Sequence, residues 1–427
     1  MSVRRRDVVL GLPLGLRMGV FVGVPLGLST NRAQATSADP PSVTLVTLDH
    51  GALDETRRRL RAGDDSLAAA HAALRTRAAK ALKTPLRSVA DKTMLPPSGS
   101  RNDYLSMGPY WWPNPATPDG LPYIRRDGQR NPKVAGDALD SDRMVAFCRD
   151  VFDLTLAHHL GAPDDHAEKA AEALRHWFLA PRTRMRPHLR YGQAIPGVVE
   201  GRAEGLIDTR HLWMVIDAAL LLNARGVLSD ADLAALRQWF VEFTQWMQTS
   251  PIARDEDAAD NNHGMFFDAQ LVNYLRFTGE AAKAKERLAT VAARRFKPQI
   301  EDDGRMPLEL ARTRPFHYSA FNLEAATRLA RYGQGSEVDL WREPRLLRAI
   351  ALLQSAALSP ERWRHATSTE PAIEPAKLAP ILLLTRFSTG VDQPLLTATV
   401  PARREAVDWL LWSVPPGTPD EARPSQG

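Results

Sequence analysis

The sequence predicts an all-α protein in which antiparallel helix pairs close, or nearly close, into an α/α toroid. Three observations lead there. Apolar residues recur at helical spacing in one window after another, strand-like alternation is scarce, and two of the stripes meet across Arg225-Gly226 as a helical hairpin. No exact repeat is present, so an irregular bundle is the other all-α arrangement compatible with the stripes.

The hairpin carries the strongest signal. Leu212, Val215, Ile216, Ala219 and Leu220 form its first stripe, and Ser229-x-x-Asp232 opens the second as a capping box, followed by Leu233, Leu236, Trp239, Phe240, Phe243 and Met247. Further helices are expected over 144–156, 167–178, 266–277, 281–296, 321–329, 346–358, 378–387 and 404–412. The exception is 83–142, dense in Pro, Gly, Asn and Asp with little periodicity. An irregular stretch of that length in a compact protein is usually functional.

At 427 residues, with 44% hydrophobic and 25% charged content, the chain is a globular protein with a large core, and neither disordered nor fibrous. Its net charge is +5, but Arg4, Arg5, Arg6, Arg17 and Arg32 against Asp7 contribute about +4 of that, leaving about +1 for the rest. Nucleic acid is therefore not an expected partner. The single Cys148 excludes an intramolecular disulfide and a cysteine-rich metal site. Residues 1–35 combine a basic start, a Gly- and Leu-rich apolar stretch and Ala33-Gln34-Ala35, the pattern of a secretory signal, with paired arginines of twin-arginine type. Arg17 and several Gly and Pro interrupt that stretch as a membrane span. The expected organisation is a signal over 1–35, a flexible segment over 36–50, a toroid over 51–413 and a disordered Pro-rich tail over 414–427. The mature chain is expected in the periplasm or secreted, without stable membrane insertion.

Three segments carry chemistry. Within the long loop, Tyr104, Tyr110, Trp111, Trp112 and Tyr123 lie close in sequence to Arg101, Arg125 and Arg126. Aromatic faces stack on sugar rings and guanidinium forks pair with carboxylates, so an acidic polysaccharide is the expected partner; the alternative is an aromatic set that merely packs the loop down. The second segment sets Asn261, Asn262 and His263 before a helical stripe, where amide and imidazole can converge on an anion or simply cap the helix. The third holds Arg305, Arg312, Arg314, His317 and Tyr318 within fourteen positions.

Together these groups supply what β-elimination at a uronic acid needs. The C5 proton becomes acidic only when the C6 carboxylate is neutralised, because its removal places a second negative charge there. Amide, imidazole and guanidinium donors stabilise that charge. A tyrosine can take the C5 proton and return one to O4 if a cation such as Arg312 favours its phenolate.

The sequence resembles the alginate-lyase superfamily of polysaccharide lyases, and within it a bacterial branch marked by S-x-G-P-Y-W-W-P, here Ser106 to Pro113, then G-L-P-Y-I-R-R-D-G, here Gly120 to Gly128. N-N-H-G at Asn261 to Gly264, P-L-E-L-A-R-T at Pro307 to Thr313 and H-Y-S at His317 to Ser319 extend it over about residues 100 to 390. The resemblance implies an α/α toroid and the catalytic set Asn262, His263, Arg312 and Tyr318, with Asn262 rather than Asn261 as the amide. Better-known members place the Arg seven residues before the Tyr, within R-G, and lack the WW loop; here Arg312-Thr313 lies six before. The branch is associated with glucuronan and mannuronate cleavage. In D-mannuronate and D-glucuronate H5 and O4 share a ring face, so one Tyr suffices, whereas L-guluronate and D-galacturonate need a second group such as His263.

Expected substrate-binding residues are Tyr110, Trp111, Trp112, Tyr123, Arg125, Arg126, His211, Arg314 and His317, with Arg202 and Arg210 near the cleft and Asp208 as an N-cap. No cofactor is expected. No metal site is expected either: the Glu301-Asp302-Asp303-Gly304 run reads as a surface turn, and His158-His159 has no carboxylate at metal spacing on its helix. Two rival classes stand beside the lyase, a glycoside hydrolase using Asp103, Asp257 or Glu309, and a non-catalytic binder of acidic glycans.

Overall fold

The computed structural model describes residues 43–365, 368–370, 372–396 and 405–412. The signal and the C-terminal tail expected from the sequence lie outside them.

The chain is an α/α toroid. Helices α1 (His50–Arg61) and α2 (Asp65–Lys83) come first, and after the long loop follow α3 (Ser141–His159), α4 (Asp164–Leu174), α5 (Leu212–Ala224), α6 (Asp230–Thr249), α7 (Pro251–Asp257), α8 (Asn262–Phe277) and α9 (Ala281–Val291). Short α10 (Lys297–Gln299) and α11 (Pro307–Leu310) lead to α12 (Pro315–Gly333), α13 (Pro344–Leu358), α14 (Ala379–Thr389) and a C-terminal helix, Asp408–Trp412. Helices α3, α5, α8, α12 and α14 contact one another in succession as an inner ring, while α4, α6, α9 and α13 each pack on inner helices from outside. Burial follows position. Fourteen residues of α8 are buried, almost its whole length, against only Ala284, Leu288 and Val291 of the amphipathic α9. The Arg225-Gly226 hairpin is present, with Ser229 Oγ accepting from Asp232 N–H at 3.1 Å.

Two features depart from the sequence expectation. Helices α1 and α2 are not among the expected ones; their buried stripes, Ala52, Leu53, Thr56 and Arg57 in α1 and Leu67, Ala70, Leu74, Ala78 and Ala81 in α2, are rich in alanine and polar residues and stand out weakly in the sequence. The described part of the segment expected to be flexible is tied down instead. The N–H groups of Val46, Thr47 and Leu48 converge on the buried carboxylate of Asp217 in α5, at 2.8 to 3.3 Å.

The long loop is irregular but anchored. Its β1 (Leu105–Met107) pairs in parallel with β4 (Tyr191–Ala194), and β2 (Trp111–Trp112) pairs antiparallel with β3 (Ile124–Arg125). Lys92 is fully buried beneath it, 3.1 Å from Asp140. The β2–β3 hairpin is thereby held over one end of the ring.

Candidate active site

A cleft of about 670 Å³ opens between the β2–β3 hairpin, the segment around β4, and the N-terminal ends of α8 and α12. Both helix starts are built for it. Asn261 caps α8, its Oδ1 accepting from His263 N–H at 3.0 Å, so it is structural and Asn262 and His263 occupy the first turn. Gly264 completes the motif because a Cβ there would lie 2.0 Å from the Ala259 carbonyl oxygen. Pro315 occupies the first turn of α12, and the free N–H groups of Phe316 and His317 donate to the Glu370 carboxylate at 2.9 Å each. His317 and Tyr318 are thus carried on a turn fixed from outside the helix.

Each expected catalytic residue lines this cleft, and each has a partner that sequence spacing does not reveal. His263 Nδ1 lies 2.7 Å from Glu256 Oε1, a carboxylate 1% exposed on the last turn of α7. Burial alone would lower the His263 pKa; the charge and hydrogen bond of Glu256, with Glu204 beyond, outweigh it and hold the imidazole above its ordinary value. The backbone N–H of Asn262 donates to Glu309 at 2.7 Å, and its amide nitrogen reaches both Glu309 oxygens at 3.0 and 2.8 Å. That nitrogen keeps at most one hydrogen for the cleft. Arg312 grips Asp127, in the turn just after β3, through Nε at 3.2 Å and Nη2 at 2.8 Å, and Thr313 and Arg125 bond the same carboxylate. Burial opposes ionisation of Asp127, yet those donors pull its pKa down to about 2. Gly128 belongs to this clamp, since its φ of +72° is left-handed and a Cβ would meet Thr313 Oγ1 at 2.4 Å.

Tyr318 departs from expectation. The Arg312 guanidinium lies flat on its ring, 3.6 Å from the centroid, and the Tyr318 hydroxyl donates to the Tyr110 hydroxyl at 2.7 Å. Burial comes first, and with Tyr110 it pushes the phenol well above the ordinary tyrosine range; Arg312 offsets only part of this. The expected net lowering by Arg312 is therefore not found, because the guanidinium faces the ring and spends its hydrogen bonds on Asp127.

Tyr110, Trp111, Arg125, Arg314 and His317 also line the cleft, as do Arg202 and Arg210. The His317 pKa falls to about 4 through burial, Lys377 and Arg314, so it is neutral near pH 7. Four expected binders do not line it. Trp112 lies under the Arg126 guanidinium, 5.2 Å from centroid to carbon, with its indole N–H on the Gln129 carbonyl. Tyr123 is held by its N–H on the Pro196 carbonyl at 3.1 Å, and half-buried His211, just before α5, is not among the cleft-lining residues and its Nδ1 makes no hydrogen bond. Arg305 is exposed and pairs with Glu301 and Asp303 in the expected surface turn.

Asp208 is not an N-cap. Its buried carboxylate accepts from Tyr104 at 3.0 Å and Ser106 at 2.6 Å, tying the loop to the ring. Residues that sequence reasoning passed over include Gln193, whose φ of +48° is left-handed and whose Oε1 accepts from Arg202 at 2.7 Å in the cleft wall. Asp127 and Glu309 lay inside the noticed motifs, but nothing in one dimension pairs them with Arg312 and Asn262. The hydrolase candidates are spent elsewhere: Asp103 on Ser98, Arg186 and His188, Asp257 on Arg287, Arg294 and Arg295, and Glu309 on Asn262. None of the three lines the cleft.

A family model described as alginate lyase matches residues 88–363. Among solved structures, the chain is similar to an alginate lyase from Bacteroides ovatus, with 33% identity and a TM-score of 0.79, covering 87% of this chain and 99% of that one. It also shares the fold of alginate lyase A1-III from Sphingomonas species A1, at 16% identity and a TM-score of 0.52, over 88% of this chain and 98% of that one. A complex of that lyase with a tetrasaccharide gives 15% identity, a TM-score of 0.52 and coverage of 87% and 98%. No curated protein matches the chain.

Proposed function

Since the chain belongs to the alginate lyase family of polysaccharide lyases, we propose that its cleft cleaves a mannuronate- or glucuronate-containing polymer by syn β-elimination, with Tyr318 as the proton-transfer residue. The observation that carries this reading is the stacking of Arg312 on Tyr318 in the cleft that also holds His263, whose pKa Glu256 holds above its ordinary value.

In the reaction the Tyr318 phenolate takes H5. The C5–H electron pair moves onto the C6 carboxylate, where the His263 imidazolium, the remaining Asn262 amide hydrogen and the Arg312 guanidinium oppose the second negative charge. The enediolate then collapses to a C4–C5 double bond, the C4–O4 bond breaks, and Tyr318 returns its proton to O4. Tyr110 supports both steps, because a hydroxyl that accepts from the neutral phenol can turn and donate to the phenolate. Trp111 offers a stacking face, and Arg125 and Arg314 offer pairing for neighbouring uronates.

The WW hairpin supports placement in the mannuronate and glucuronan branch. The choice between syn and anti substrates is tested on polymannuronate, glucuronan, polyguluronate and pectate, with ultraviolet absorbance reporting the double bond. Unsaturated product from the first two supports the proposal, and product from only the last two overturns it. The signal-like residues 1–35 support action outside the cytoplasm, checked by the N-terminal sequence of the protein recovered from periplasm or medium.

A further inference from the structure

We propose that His50, Asp54 and His159 form a binding site for one divalent transition-metal ion of the zinc type, separate from the catalytic cleft. His50 and Asp54 lie one turn apart on α1, and His159 is the last residue of α3. Their potential ligand atoms all lie within 4.8 Å of one another, the one such group among the described residues. His50 Nδ1 is 3.3 Å from Asp54 Oδ2, and His159 Nε2 is 3.4 Å from Asp54 Oδ1. Donor atoms around a tetrahedral ion with bonds of about 2.0–2.2 Å sit roughly 3.3–3.5 Å apart, so each imidazole already stands at ligand spacing from an oxygen of the Asp54 carboxylate.

A second observation concerns burial. His159 is 3% exposed, yet the polar contact of its Nε2 is Asp54 Oδ1 at 3.4 Å, too long for a well-formed hydrogen bond. A buried imidazole nitrogen held at so long a distance is weakly satisfied, and an ion at ligand distance satisfies it. The sequence could not show this site, because the carboxylate that His159 lacks on its own helix comes from α1, about a hundred positions earlier.

The donor set selects the metal. Two imidazoles and one carboxylate suit zinc and its neighbours, whereas calcium and magnesium require mostly oxygen ligands. Arg57 Nη2, 3.1 Å from Asp54 Oδ1, competes with the ion for that oxygen, which predicts modest affinity. His50 and Asp54 keep side-chain exposures of 10% and 28%, an entry path and room for a water as fourth ligand. None of the three lines the catalytic cleft, so the bound ion would staple α1 to the end of α3 without touching the chemistry.

The full chain, stripped with chelator and dialysed, is titrated with zinc by calorimetry and melted with and without it. One equivalent should bind and raise Tm by about 2–4 °C, with calcium and magnesium giving no shift. Cobalt should bind with the visible absorption of a low-coordinate, imidazole-ligated ion. His159→Gln and Asp54→Asn should lose the binding, and His50→Gln, at the edge of the site, should weaken it at least tenfold while folding normally. Lyase rate at a fixed moderate temperature should be the same in wild type and His50→Gln. No zinc uptake by the stripped wild type, or undiminished uptake by His50→Gln, overturns the proposal; the latter marks an adventitious ion only.

Discussion

The Nδ1 nitrogen of His263 faces a buried carboxylate at 2.7 Å, and that contact decides which charge the imidazole carries into the cleft. With Glu256 present the ring is held above its ordinary pKa, as a carboxylate neutraliser must be. The active form therefore pairs an imidazolium with a phenolate whose own pKa lies higher still. In that order kcat/KM rises with pH up to the His263 pKa and levels off above it, because gain of phenolate is then offset by loss of imidazolium. Glu256→Gln removes the charge that raises His263, so the inflection should move to lower pH and the plateau should fall by about tenfold for each unit moved. An unmoved inflection would mean that His263 is not the titrating group. Tyr110→Phe should lower kcat by about tenfold, through loss of one hydrogen bond to the phenolate, with little change in KM. A rise in KM with kcat unchanged would assign Tyr110 to binding. None of these partners was legible in the sequence. The catalytic side chains sit in motifs, but their carboxylates reach them from other helices or from the loop.

In the proposed reaction substrate binding turns on the β2–β3 hairpin, whose hold on the ring includes the Asp127–Arg312 clamp. The folded Asp127 pKa of about 2 lies below its unfolded value. The clamp's contribution is therefore present above about pH 4 and is lost as pH falls from about 4 to 2. Asp127→Asn should raise KM on long polymer by roughly three- to tenfold, an effect of ~1 kcal/mol for a partly exposed bidentate pair, with less effect on kcat. An unchanged KM with a lower Tm would make the clamp purely structural. The two tryptophans should separate cleanly. Trp111→Ala removes a cleft face and should raise KM by ~1–2 kcal/mol in transition-state terms, whereas Trp112→Ala strips Arg126 and the Gln129 carbonyl of a partner and should chiefly lower Tm. Equal KM effects from both would contradict this placement. That this loop borders the cleft was legible because its aromatics and arginines are dense and aperiodic. Which tryptophan faces inward was not, since β2 is only two residues long and its side chains alternate.

At the scale of the molecule, the amphipathic stripes foretold most of the toroid, from the Arg225-Gly226 hairpin to α13 and α14. What they missed are α1 and α2, whose buried faces are mostly alanine and polar, and the residues before them, which depend on long-range partners. Asp217 is the latch there, and Asp217→Ala would leave three backbone N–H groups without an acceptor. Its cost should be about 3 kcal/mol, read as a lower Tm, with activity below the melting range unchanged. An unchanged Tm would show that the latch contributes nothing. The carboxylate-neutralising charge in the cleft comes from side chains, so chelator should leave the lyase rate at moderate temperature unaltered. The most direct test of the whole account is the initial rate of ultraviolet absorbance on polymannuronate and glucuronan for wild type and Tyr318→Phe. That change deletes one hydroxyl from a ring 5% exposed and keeps its contact with Arg312. Wild type should form unsaturated product, and Tyr318→Phe should lose at least ~10²–10⁴ in kcat while melting and binding polymer as before. Chain cleavage without the absorbance, or a Tyr318→Phe enzyme keeping more than about a tenth of wild-type kcat while His263→Ala is dead, would contradict it.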